Sequence, residues 1–433
     1  MQRHESYKPS GVKWLGDVPS HWEVQALRAV TQLKSDRNRP DLPVLSVYRE
    51  YGVIRKDSRD DNHNATSLDT STYKVVQPGD LVVNKMKAWQ GSMGVTAHEG
   101  IVSPAYITCA TKSDRVLPGY LHYLLRSSSL IGVYNSLSYG VRVGQWDMHY
   151  EDFKQIQIPL PLKEEQDRIV AFLDEKMAQV DAAIAKKDRL IDLLEEQQSI
   201  LIERAATQGL GLETDALSEK SLESSPAPSH WKTLKLKYCV DLLPGFAFKS
   251  TAYTNDETDI PLLRGVNINP GQLNWRETVY WPRGKIEDSS IYFLSAGDLV
   301  IGMDRPWVAD GIRVAAISGE NLPCLLLQRV ARLRAKAEVT QGYLELILTS
   351  KSFLSYFEPM LTGISVPHIS HDQIGNFEAR LPPIDEQESI CRHVSNIKKT
   401  YKMAIAHETK TLESLIELKS TLVSEVVTGK IKV

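Results

Sequence analysis

The residues of this sequence with most to offer a partner are basic and amide side chains placed next to tryptophan. Asn84-Lys85-Met86-Lys87-Ala88-Trp89-Gln90 directly follows a short apolar run, Gly79–Val83, and Met303-Asp304-Arg305-Pro306-Trp307 follows the similar run Gly297–Ile301. Lys and Arg suit guanine edges and phosphates, and Asn and Gln suit adenine, so Lys85, Lys87, Trp89, Gln90, Arg305 and Trp307 mark one loop used twice. A second pair of segments is Tyr139–Trp146 and Thr362–Ile369, each preceding the last strand before a long helix, with Arg142, Gln145 and His368 as contacts. Arg264, Asn267 and Asn269 are further candidates, as are the runs Lys34, Arg37, Arg39 and Arg55, Lys56, Arg59, although charge runs are ordinarily solvated faces. The two Ser-His-Trp turns are read as packing residues.

Catalytic constellations are missing. Gly245-Phe246-Ala247-Phe248-Lys249-Ser250 lacks the second glycine of a phosphate loop. No Asn/Asp-Pro-Pro-Tyr/Phe motif is present to hold an extruded base for amino-group methylation. Asp174-Glu175-Lys176 has the residue types of a nuclease but falls on a helical pattern with no strand to carry it. The 11 histidines include no HExxH, and Cys109, Cys239, Cys324 and Cys391 have no CxxC spacing, so free thiols and no metal site are expected. The chain is read as a non-enzyme with no cofactor of its own.

The elements that would position the loops are written twice. Pro19-Ser20-His21-Trp22 returns as Pro228-Ser229-His230-Trp231, and Gly79-Asp80-Leu81-Val82 as Gly297-Asp298-Leu299-Val300. Gly119-Tyr120-Leu121 returns as Gly342-Tyr343-Leu344, Pro161 with Glu165-Gln166 as Pro382 with Glu386-Gln387, and Thr207-Gln208-Gly209 faces Thr428-Gly429. Order never changes while the offset drifts slowly, as small loop insertions would cause.

Each half has a mixed block and a helical one. Short β-type runs punctuated by Gly, Pro and Asn, with helical stretches such as Gly119–Leu125 between them, predict an α+β fold in the mixed blocks. After Pro161, apolar residues recur 3 and 4 apart through Leu173, Val180, Ile184 and Leu194, and after Pro383 through Tyr401, Ile405 and Leu415. This heptad seam predicts two long helices pairing as an antiparallel coiled coil. Lys187 and Glu408 are polar seam positions at matching places, and an antiparallel pairing brings them within a turn, so an ion pair fixing the register is expected. About 40 helical residues span ~60 Å, a rigid spacer between two pseudo-symmetric readers of duplex half-sites. The expected division is a first recognition block over 1–162, a first spacer helix over 163–210, a linker over 211–227, a second block over 228–383 and a second spacer helix over 384–433.

Composition sets the bounds. A chain of 433 residues, 42% hydrophobic and 24% charged, is a multi-domain globular protein. No apolar run approaches the ~20 residues of a membrane span, and the first residues carry no apolar signal core, so a cytoplasmic protein without membrane contact is expected. Net charge is only −3. Residues 1–160 hold 19 basic against 16 acidic side chains and residues 161–221 hold 8 against 14, so other chains are expected to help neutralise any phosphates met.

The doubled Trp-preceded blocks, the GDL strands, the P-x-x-x-E-Q helix starts and the Val-Thr-Gly-Lys-Ile ending together resemble the specificity subunit of type I restriction–modification systems, over essentially the whole chain. The resemblance implies two target recognition domains on double-stranded DNA, each contacting one half of a split site. It also implies that the helices form the spacer and dock two methyltransferase subunits, with restriction (motor-nuclease) subunits recruited as well. S-adenosylmethionine, ATP and Mg would belong to those partners. In this family the region of Arg142, Gln145 and His368 commonly approaches DNA. Two other readings stand beside it: a stand-alone DNA-binding regulator, which the weak net charge disfavours, and a coiled-coil scaffold, which leaves the two mixed blocks unexplained.

Overall fold

A computed structural model of the chain describes residues 2–58, 69–140, 146–210, 228–285, 287–308, 311–361 and 367–433. These fall into two compact units, Met1–Leu190 with Glu408–Val433, and Ile191–His407. Each unit holds one mixed block, the start of one long helix and the end of the other. The expected α+β class is observed, with long helices over Lys163–Gln208 and Ile384–Val427.

In the first unit the GDL segment forms an inner strand. Leu81–Val83 lies between Ile107–Thr111 and Met93–Val95 in an antiparallel sheet that Thr31–Leu33 completes. The motif explains its own turn. Gly79 takes φ 93°, a conformation that disfavours residues with a Cβ. Asp80 Oδ2 then accepts the Gln77 amide at 2.9 Å and meets Lys34 Nζ at 2.8 Å. A core of Trp22, Leu81, Val83, Tyr120 and Phe153 forms below, each fully buried side chain contributing roughly 1.5–3 kcal/mol.

The second unit repeats this plan. Leu299–Gly302 is flanked by Val330–Ala335 and Val314–Ala316, with Val240–Pro244 beyond. Gly297 has φ 89°, and Asp298 Oδ2 accepts the Ser295 amide at 2.8 Å and bonds Arg334. Its core gathers Trp231, Leu299, Tyr343, Phe353 and Ile390.

The P-x-x-x-E-Q motif is a clamp at each helix start. Gln166, fully buried, donates to the Pro161 and Arg115 carbonyls and accepts from Leu117 N. Gln387 does the same with Pro382, Glu338 and Thr340 N. Glu165 Oε2 holds His21 Nε2 at 2.9 Å, and Glu386 Oε2 holds His230 Nε2 at 2.8 Å, so both Ser-His-Trp turns pack against a helix start as expected.

The Gly-Tyr pairs join each block to the end of the other helix. Tyr120 Oη donates to the carbonyls of Pro159 and Val427. Tyr343 Oη donates to those of Arg380 and Ala206. Gly119 and Gly342 instead fit each block to the start of its own long helix: an added Cβ would lie 3.0 Å from Val170 Cγ1 and 3.3 Å from Cys391 Sγ respectively.

Along the helices the seam is half-buried, as expected where two helices cover only one stripe of each other. In the first unit Leu173 is buried beneath the block, Val180, Ile184 and Leu415 are partly covered, and Lys187 Nζ meets Glu408 Oε2 at 2.5 Å. Lys419 reaches Asp181 at 2.5 Å, which orients the two stretches antiparallel within that unit. In the second unit Leu194, Tyr401 and Ile405 are partly covered, while Ala205 and Ala206 share the core with Ile390 and Val394.

Candidate nucleic-acid interface

The Lys85 loop owes its shape to its small residues. Lys85–Gln90 is a 3-10 turn that buries Ala88 and ends at Gly91, φ 86°. A Cβ at Gly91 would fall 2.6 Å from Ile131 Cδ1, so any other residue would both strain this φ and push the Ile131 side chain aside on the helix Ser128–Leu137. Lys87 and Met86 are exposed, and Trp89 and Gln90 are half-buried.

This loop meets the segment that precedes the last strand of the block. Lys85 Nζ pairs with Asp147 Oδ2 at 3.0 Å, both about a third exposed. Trp89 and Trp146 meet edge to face at 5.6 Å, with Trp89 Nε1 donating to the Met86 carbonyl. Asp147 pairs in turn with Tyr139 in a two-residue ladder, and the exposed Tyr139 ring stacks on His149 at 5.1 Å. One face of the first unit therefore carries Lys85, Lys87, Trp89, Trp146, Tyr139 and His149. Arg142, Gln145 and Arg59 lie outside the described residues.

The corresponding segments also converge in the second unit. Asp304 bridges His368 through the backbone, and Arg305 N donates to the Pro367 carbonyl at 2.8 Å. His368 Nδ1 lies 2.6 Å from Asp304 Oδ1, and Arg329 Nη1 bonds the same oxygen at 3.0 Å. Arg305 is exposed with φ 44° and Arg329 has φ 70°, two non-glycine residues in a conformation that side chains disfavour. Trp307 packs inward against the core at the edge of a short hairpin.

Other candidates are placed differently. Asn267 is 1% exposed, and its side chain accepts from Arg264 N and donates to the Asn274 and Glu277 carbonyls. Arg264 donates to the same Glu277 carbonyl. Asn267 organises the 264–277 loop from inside rather than reaching outward, which corrects the expectation for it, while Arg264 braces the same loop with its side chain about a third exposed. Lys34 is held by Asp80 beneath the sheet, and Arg39 and Arg55 pair with Asp41 and Asp57 two residues away. Arg329 was missed: it joins the surface only through Asp304 and His368, distant in sequence, and no local pattern marks it; His149 lies just beyond the segment that Tyr139 opens.

No protein-family model matches the chain. Whole proteins do. The MjaVIII specificity subunit of a type I restriction enzyme from Methanocaldococcus jannaschii is 25% identical over 370 residues, covering 84% of this chain and 83% of that protein. The EcoAI specificity subunit from Escherichia coli is 36% identical over 191 residues, 42% of this chain and 32% of that protein. The chain is similar to type I restriction specificity subunits. Solved structures share the fold. A chain from a type I R-M system assembly superposes with a TM-score of 0.70 at 17% identity, covering 96% of this chain and 99% of that one. The HsdS subunit from Thermoanaerobacter tengcongensis gives 0.56 at 18% identity, covering 96% and 98%. No described helix is long and apolar enough to cross a membrane.

Proposed function

We propose that the chain is the sequence-reading, non-catalytic subunit of a type I restriction–modification complex, and that its two mixed blocks each read one half of a bipartite DNA site. The observation that carries this is the same in both units. Two loops about 60 residues apart in sequence, each chosen for base- or phosphate-binding residue types, come together on one face of their block. On this reading Lys85, Lys87 and Gln90 act in one half-site and Arg305 and His368 in the other, with Arg142 and Gln145 as further contacts. Lys and Arg would supply guanine and phosphate contacts, and Trp146 and Tyr139 an apolar floor. The different residues on the two faces favour an asymmetric site. The long helices carry the docking surface for two adenine methyltransferase subunits, and restriction (motor-nuclease) subunits join the complex. S-adenosylmethionine, ATP and Mg enter with those partners.

Methylation mapping in cells tests this reading. Co-expression with a methyltransferase subunit is expected to give methyladenine in a split motif, on both strands, only when this chain is present. A motif that persists without the chain, or no motif with it, overturns the reading and favours a protein-only scaffold.

A further inference from the structure

The two Ser-His-Trp turns differ in one respect that the repeat does not require. In the second unit both oxygens of the helix-start carboxylate are used: Glu386 Oε2 meets His230 Nε2 at 2.8 Å and Oε1 accepts Trp231 Nε1 at 3.1 Å. In the first unit Glu165 Oε2 meets His21 Nε2 at 2.9 Å, but Oε1 faces His4 Nε2 at 3.9 Å, beyond hydrogen-bond reach. His4 Nε2 and Trp22 Nε1 are both buried there without a hydrogen-bond partner among the described residues. The His4 side chain is 5% exposed and that of Glu165 9%. Two neighbouring orphaned ring nitrogens are costly, because a buried polar group without a partner typically loses about 1–3 kcal/mol.

We propose that His4, His21 and Glu165 form a site for one divalent transition-metal ion of the zinc class. One ligand atom from each residue can be chosen so that all three lie within 4.8 Å of one another. Bonds of ~2.0–2.2 Å to nitrogen and oxygen put tetrahedral ligand atoms about 3.3 Å apart. His21 Nε2 lies 2.9 Å from Oε2 and His4 Nε2 3.9 Å from Oε1, so a modest side-chain shift is needed to bring both nitrogens to one carboxylate oxygen. His21 is half exposed and can make the adjustment, and its open side leaves a fourth position to water. The ion would tie the start of the chain to the start of the first long helix. Tyr7 Oη already donates to the Gly429 carbonyl and Lys432 N to the Gln2 carbonyl, so the same ion would brace both chain ends of this unit. The corresponding pair in the second unit, His230 with Glu386, has no third ligand among the described residues and would not bind.

The test uses the full-length chain stripped of metal with a chelator and titrated with Co2+, read by its visible ligand-field bands and by back-titration with Zn2+. One equivalent of cobalt is expected to bind with the bands of a low-coordinate nitrogen–oxygen site and to be displaced by zinc. H4Q is expected to weaken it by about 100-fold or more, since even outer-shell changes typically cost 10–100-fold. H230Q is expected to leave the titration unchanged. No stoichiometric cobalt in the wild type, an unaltered titration in H4Q, or equal losses in H4Q and H230Q overturns the site.

Discussion

Lys187 and Glu408 are polar residues on an apolar seam, and their pairing at 2.5 Å shows how one charge pair can select one register of two helices. Both are only partly covered, so the pair adds little energy and matters mainly by excluding slipped alignments. K187E is therefore expected to lower the melting temperature, by a loss of roughly 1 kcal/mol, and K187E with E408K to recover most of it; equal melting of single and double variants in a thermal scan contradicts this. His122 makes a second prediction. Its Nε2 faces Arg126 Nη1 at 2.7 Å, so it accepts there, and Nδ1 then donates to the Val95 carbonyl, an arrangement that requires the neutral ring. Burial first, and then Arg126, lowers its pKa to about 4 from 6.5. The unfolded chain takes up this proton near pH 6.5 while the folded one resists until about pH 4. Stability from this group is thus full above pH 6.5 and is lost as pH falls toward 4. Urea unfolding across that window should show a weaker pH dependence in H122Q than in the wild type.

At the scale of elements, the helix ends are set by glycines that sequence alone identifies only as stops. Gly429 has φ 75°, and a Cβ there would lie 2.5 Å from Pro19 Cδ and 3.0 Å from Trp22 Cη2. Gly209 has φ 79° but its nearest contacts, Glu386 Oε1 and Trp231 Cζ2, are 3.1 and 3.2 Å away. Alanine at either position meets the same backbone penalty of about 1 kcal/mol, and Gly429→Ala must also push aside a proline ring, where at Gly209 the neighbours need give only slightly. G429A should accordingly destabilise the chain more than G209A in denaturant melts, and the reverse order contradicts this account of the helix ends. The GDL strands, the Gly-Tyr-Leu helices and the two long helices were legible because their signals are local: a period, a turn residue, an apolar run. The roles of Glu165, Gln166 and Tyr120 were not, since their partners, His21, Leu117 and Val427, lie 49 to 307 residues away. Asn267 misled for a related reason. Amide side chains suit both adenine edges and loop carbonyls, and only burial distinguishes the two uses.

For the molecule as a whole, the doubled order of motifs carried the architecture, because correspondences in register specify two like units whatever their loops contain. The two candidate faces were half legible. Residue types picked out both loops of each block, but the meeting of Lys85 with Asp147 and of Asp304 with His368 is tertiary, and Arg329 arrives from a third segment. The central claim is that each block reads its own half of one split site. It is tested most directly by mapping methylation for two sets of variants, Lys85→Ala with Lys87→Ala, and Arg305→Ala with His368→Ala. A base contact contributes about 1–3 kcal/mol of discrimination, so each set should relax the motif by about 5- to 150-fold at one half and leave the other half as it was. Both sets altering the same half, or neither altering the motif, contradicts the account.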